Sequence, residues 1–119
     1  MKTTTQIGRQ AEALAARYLQ SHGYQICARN VRTRYYEIDL IARTAEDIVF
    51  VEVKYRRSPW YGGGESSVDA RKAERLIRAA LAWLAEQQTY QNLQPRIDVI
   101  TVTGEHNVIQ HYQNAINLD

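Results

Sequence analysis

The chain has a single cysteine, Cys27, so no disulfide can close within it. No stretch approaches the roughly 18 consecutive apolar residues that a membrane-spanning helix needs. Its opening "MKTTTQIGRQ" has no signal-like apolar run. With no export signal and no disulfide pair, a cytoplasmic protein with no membrane partner is expected. Internal repeats, low-complexity tracts and linkers are also lacking, and 119 residues suffice for one core but not two. One domain over residues 1–119 follows. The net charge of +2 is too small to announce a nucleic-acid binder. Lys and Arg are absent after Arg96, however: residues 1–96 hold all 15, against 10 acidic residues, and Asp98, Glu105 and Asp119 follow alone. The last quarter reads as scaffold, and a polyanion would meet the earlier part.

Several chemistries are missing too. His22, His106 and His111 are scattered, which gives no zinc spacing and no Ser-His-Asp pattern, and a surface role is expected for each. The glycines at 62–64 lack the lysine and Ser/Thr of a phosphate-binding P-loop and read as a mobile loop.

Apolar spacing supplies the elements. Ile7, Ala11, Leu14, Ala15 and Tyr18 make a helical stripe over residues 5–22, stopped by Gly23. Strands are predicted at 24–32, where Cys27 serves as a small buried hydrophobe, and at 35–43 and 48–55. After the loop "RRSPWYGGGESS", Ser66 or Ser67 is expected to cap a second helix, with Asp69 completing a capping box and Ala73, Leu76, Ile77, Ala80, Leu81 and Leu84 buried. Pro95 opens a strand "RIDVITV", and the turn "GEHN" leads to "VIQHY". The order α-β-β-β-α-β-β predicts an α/β or α+β domain with helices packed on a mixed sheet.

The hairpin "EIDLIARTAEDIVFVEVKYR" places charges inside its most strand-like segments. With "TAED" as the turn, Arg43 pairs with Ile48, Ile41 with Phe50, Asp39 with Glu52 and Glu37 with Lys54, all on one face. Tyr36, Ile38, Leu40 and Ala42 then form the core face with Tyr55, Val53, Val51 and Val49. A charged face of a hairpin is often simply wet. Yet Ile41, Ile48 and Phe50 share this one. Like charges opposed at about 5 Å destabilise a pair, and a divalent cation would resolve the conflict.

Asp39, a hairpin, then Glu52-Val53-Lys54 resembles the core of the PD-(D/E)XK nuclease superfamily. "GRQAEALAARYLQSHGYQICARNVR", "EIDLIA", "IVFVEVKYR" and "RIDVI", in that order, resemble the YraN-like family of small bacterial proteins, related to archaeal Holliday-junction resolvases. The resemblance covers nearly the whole chain and implies a restriction-endonuclease-like fold. It makes Asp39 and Glu52 metal-binding carboxylates for Mg²⁺ or Mn²⁺, with the Val53 carbonyl as a further ligand. Lys54 would position or deprotonate the attacking water, and Glu12 from the first helix would complete the site. Glu12 read by itself could equally be an exposed helix residue, and Glu37 could belong to the site or only pair with Lys54. Ile38 stands where the superfamily name has proline, and Tyr36 where family members often have glycine.

The resemblance implies a metal-dependent endonuclease cleaving DNA phosphodiester bonds, with branched DNA as a candidate substrate. The alternative is a nucleic-acid-binding module that keeps the fold and acts with a partner. Resolvase-like relatives act as dimers on two-fold junctions, which raises a homodimer here as well. DNA contacts are expected from Arg56, Arg57, Trp60 and Tyr61 around the loop and from Arg71, Arg75 and Arg78, which recur on one helix face. Those three could also form an ordinary solvated face.

Overall fold

The computed structural model describes residues 2–58 and 69–118. Its elements follow the order α-β-β-β-α-β-β: α1 (Thr4–Ser21), β1 (Gln25–Arg32), β2 (Glu37–Arg43), β3 (Asp47–Arg56), α2 (Ala70–Ala85), β4 (Gln94–Thr103) and β5 (Val108–Ile116). This is the mixed α/β architecture expected. The five strands form one sheet in sequence order. Neighbours are antiparallel except β3 and β4, which α2 connects as a parallel pair. Among the described residues, no helix is long and apolar enough to cross a membrane.

Both helix starts are capped by side chains. Thr3 and Gln6 form a capping box at α1. Its end is sealed by Gly23 at φ +88°, with Gly23 N–H donating to Gln20 O and Tyr24 N–H to Leu19 O. That geometry needs a left-handed residue, and glycine takes it without strain. At α2 the cap is Asp69, whose carboxylate accepts Lys72 N–H at 2.8 Å. This corrects the expected cap at Ser66 or Ser67, which lie outside the described residues, as do Trp60, Tyr61 and the glycine run.

The two helices cover opposite faces of the sheet. Ala15, Ala16 and Leu19 of α1 pack on Leu40, Ala42, Val49, Val51 and Ile100. Ala79, Ala80 and Trp83 of α2 pack on the alternate residues Ile41, Ile48, Phe50 and Ile97. The face expected to be half charged is therefore a second core, and its charges are confined to one end. Trp83 meets Phe50 edge-on and stacks on Tyr90. Trp83 was absent from the predicted stripe, whereas Leu81 was in it and is 48% exposed. The stripe drifts with the 3.6-residue turn, so positions 76, 80 and 83 share a face that 81 leaves.

The β2–β3 register is the predicted one: Leu40↔Val51, Ile41↔Phe50, Ala42↔Val49 and Arg43↔Ile48. Thr44 N–H donates to Asp47 O across the turn at 3.0 Å. The pairing stops at Leu40↔Val51, so Glu37 does not reach Lys54. Its partner is Arg32 of β1, at 3.8 Å on the surface. Ile38 also departs from expectation. It packs with Ile41 under α2, although strict alternation would separate them.

A polar network lies within the sheet's other half. Asp98 is fully buried and accepts from Arg96 Nε and Nη2 at 2.9 Å, from Asn114 N–H at 2.9 Å, and pairs with His111 Nε2 at 2.7 Å. Arg96 also donates to Asp47 at 2.9 Å and to the Tyr24 hydroxyl at 2.7 Å. His111 Nδ1 lies 3.1 Å from the Tyr18 hydroxyl on α1. Its expected surface role is thus overturned: its side chain is 6% exposed. Asn114 reaches Asp98 from a left-handed φ of 51°, at the point where the β4–β5 register shifts. Burial opposes ionisation of Asp98, but His111, Arg96 and Asn114 outweigh it and hold the carboxyl below its usual value.

Asp98→Ala should destabilise the chain by about 3 kcal/mol in urea denaturation, because it strips half-buried Arg96 and His111 of their shared partner. Folding lowers the Asp98 pKa, so the contribution is complete above the unfolded value of 3.8 and drains away as pH falls through the folded one. The parent should therefore lose more stability than the variant on acidification.

Candidate functional site

The site lies where β2 and β3 part. Beyond Leu40↔Val51, the Val53 N–H donates to Asp39 Oδ2 at 2.8 Å, so a side chain supplies the acceptor there. This holds the Asp39 carboxylate beside β3, within side-chain hydrogen-bonding reach of Glu52. Across β2, Asn30 of β1 adopts a left-handed φ of 49°, between the pairs Arg29↔Leu40 and Val31↔Ile38. Asn30 and Asp39 both lie close enough to Glu12 from α1 to favour its charged form. Glu12 is half-buried, and its Oε1 is buried without a hydrogen-bond partner.

Three carboxylates share this neighbourhood, and the Glu52 charge acts to raise the other two. Burial first, then the Glu52 charge, and further the Glu12 charge push Asp39 up to about 7, against the lowering effect of the Val53 N–H. Burial also raises Glu12, with Arg32, Asn30 and Asp39 pulling the other way and Glu52 adding to the rise. Lys54 is pushed below its usual value by burial and then by the Lys72 charge, while Glu52 opposes the shift.

Lys72 is the residue sequence reasoning missed. Its Nζ lies 2.5 Å from Glu52 Oε2. A signal was available, since Lys72 precedes Leu76 by four and Ala79 by seven and so extends the buried stripe of α2 towards the sheet.

The carboxylates open into a groove of about 790 Å³ lined by β2, α2 and the β1–β2 turn, with Asp39, Glu52, Lys72, Arg75 and Arg78 on its walls. Of the arginine trio, Arg75 and Arg78 line it and Arg71 does not. Arg78 is also paired with Glu74. Arg56 and Arg57 end β3 and its following bend, outside the groove lining. Glu37 sits on the groove wall, but its salt bridge is to Arg32.

A family model described as "Uncharacterised protein family UPF0102" matches residues 11–102. The chain belongs to this family. It is 42% identical over 112 residues to the UPF0102 protein VP0448 of Vibrio parahaemolyticus, covering 94% of this chain and 93% of that protein. It is 44% identical over 116 residues to the UPF0102 protein YraN of Salmonella arizonae, covering 97% and 87%. Among solved structures, "Protein of Unknown Function AF1548" overlaps 81% of this chain and 48% of its own, at 22% identity and a TM-score of 0.42. Pyrococcus furiosus SfsA, solved with Ca²⁺, overlaps 92% and 63%, at 13% identity and a TM-score of 0.35.

Among the described residues, no group of three His, Cys, Asp or Glu side chains could hold an ion together. The expected set that joined Glu12 to Asp39 and Glu52 as ligands is therefore not assembled in this arrangement. The pair Asp39 and Glu52 does suit Mg²⁺, which takes one or two carboxylates and keeps several waters. Their hard oxygens, their mutual repulsion and the unpartnered Glu12 Oε1 all favour added positive charge.

Folding raises the Asp39 pKa, so its penalty is absent below 3.8, grows as pH rises to about 7 and is constant beyond. In EDTA, Asp39→Asn should melt at or above the parent at pH 8, with an advantage that shrinks towards pH 4. Melting curves at the two pH values check this. An Asn variant that melts well below the parent at pH 8 would mark Asp39 as half of a structural ion pair.

Proposed function

We propose that this UPF0102 protein is a metal-dependent endonuclease acting on DNA, with Asp39 and Glu52 as cation ligands and Lys54 as the group that manages the attacking water. The observation that carries the reading is the convergence of Asp39 on Glu52 at the parting of β2 and β3, with Asp39 raised to about 7 and both carboxylates lining a groove. Mg²⁺ or Mn²⁺ held there would supply charge relief on the scissile phosphate and activation of water.

The chain's own residues account for the rest. The Val53 N–H fixes the Asp39 carboxylate, which lines the groove. Lys54, its ammonium destabilised by burial and by Lys72, can accept a proton from water more readily than an exposed lysine. Water adds to phosphorus, the bond to the leaving oxygen breaks, and that oxygen takes up a proton. Glu12 lies beside Asp39 from the α1 side and acts as a positioning residue. Arg75 and Arg78 meet phosphates without reading sequence.

The Lys72–Glu52 ion pair favours a second reading. If Lys72 is the permanent counter-charge of Glu52, the domain is a nucleic-acid-binding module that acts, if at all, with a partner.

Cleavage of single-stranded, duplex, flap and four-way DNA with Mg²⁺ or Mn²⁺ tests the endonuclease. Asp39→Asn and Glu52→Gln should each abolish cutting while preserving binding. A cation bound at a hundred times its Kd stabilises by about 2.7 kcal/mol, visible as a rise in Tm for the parent and a smaller one for Asp39→Asn. Binding without cutting, and no Mg²⁺-dependent rise in Tm, would favour the module.

DNA binding should also weaken with salt. Reversing Arg75 and Arg78 together should flatten the slope of log K against log salt by about 2, whereas reversing Arg71 alone should change it little. An unchanged slope for the double variant would remove α2 from the interface.

A further inference from the structure

The turn between β1 and β2 carries a feature that the carboxylate chemistry leaves unused. Tyr35 stands at its tip, 83% exposed. A lone exposed tyrosine needs no explanation. This one is held out by a braced turn. Thr33 Oγ1 accepts both the Tyr35 and the Tyr36 N–H at 3.1 Å, and Thr33 N–H donates to Tyr36 O at 2.9 Å. The Tyr36 hydroxyl then pins the turn to the end of α2 by donating to Glu86 at 3.0 Å. Beside the ring, the Arg34 guanidinium carbon lies 5.8 Å from its centroid. Tyr35 and Arg34 line the same groove as Asp39, Glu52, Arg75 and Arg78.

We propose that Tyr35 and Arg34 form a stacking subsite for an unpaired nucleobase, which makes single-stranded or flapped DNA, rather than continuous duplex, the substrate class. The proposal rests on the nucleic-acid reading above and names its substrate. A base inside a duplex has both faces occupied by its neighbours, so only an unpaired base can offer a face to Tyr35. Stacking is tolerant of base identity, which suits a site with no element that reads base edges. Arg34 adds a cation beside the stack, and Arg75 and Arg78 give the following backbone a basic wall. From Tyr35 to Asp39 the chain advances four residues, at most about 13 Å. A strand anchored on the ring therefore passes the carboxylates within a short span.

The test uses the full chain in EDTA and DNA carrying 2-aminopurine, either in the unpaired arm of a flap or within a duplex. The expected result is quenching of the flap probe by the parent and by Tyr35→Phe, which keeps the ring. Tyr35→Ala should lose the quenching and bind the flap about tenfold more weakly, with duplex affinity unchanged. Melting curves confirm that the variants are folded, as the exposure of Tyr35 leads one to expect. Equal weakening on flap and duplex, or on neither, overturns the stacking subsite and leaves the nuclease reading standing. A Tyr35→Phe variant that behaves like Tyr35→Ala also overturns it, in favour of a hydroxyl contact. A parent that binds neither DNA overturns the subsite together with the nucleic-acid reading.

Discussion

The central strand β3 is covered on both faces, and that constraint sets where charge can go. From Ile48 to Val51 its side chains alternate between the α2 core and the α1 core, and all four are buried. A carboxylate there would face full desolvation with no partner. Glu52 and Lys54 come just after this stretch, where β2 stops pairing and a groove opens. The same parting frees the Val53 N–H, which Asp39 then satisfies. One break in the sheet thus supplies the room, the orienting hydrogen bond and the access.

Two acids of this fold show what the break does. Asp98 and Asp39 are both withdrawn from water, yet their surroundings push them in opposite directions. Asp98 is met by Arg96, His111 and the Asn114 N–H, and its carboxyl is held below its usual value. Asp39 receives the Val53 N–H and faces Glu52 and Glu12, and its carboxyl rises to about 7. The first arrangement is a satisfied network that ties α1, β3, β4 and β5 together. The second is a conflict that folding tolerates, and such conflicts collect at sites that bind or react.

Much of this was legible because it depends on local pattern. The hairpin register followed from a four-residue turn and period-two alternation, and the pairs from Leu40↔Val51 to Arg43↔Ile48 agree with it. Gly23 marked the end of α1 because its stop needs a left-handed residue. Asp39, Glu52 and Lys54 stood out as charges in strand-like segments. Less visible were the residues whose roles depend on a distant partner. Lys72 drew no role from the sequence, and His111 looked like a stray histidine. Neither Glu52 nor Asp98 is near them in sequence, and only packing brings the pairs to 2.5 and 2.7 Å.

By itself, then, the sequence determined the element order, the α1 boundary, the hairpin register and the carboxylates that share a strand end, because each follows from spacing along one or two neighbouring segments. Tertiary structure decided that β2–β3 pairing ends at Leu40 and that Glu37 turns to Arg32. It also decided that Glu12 closes on Asp39 and that Lys72 reaches Glu52. Those outcomes depend on where α1, α2 and β1 come to rest against the sheet. The balance of burial and charge that sets Asp39 exists only once they have done so.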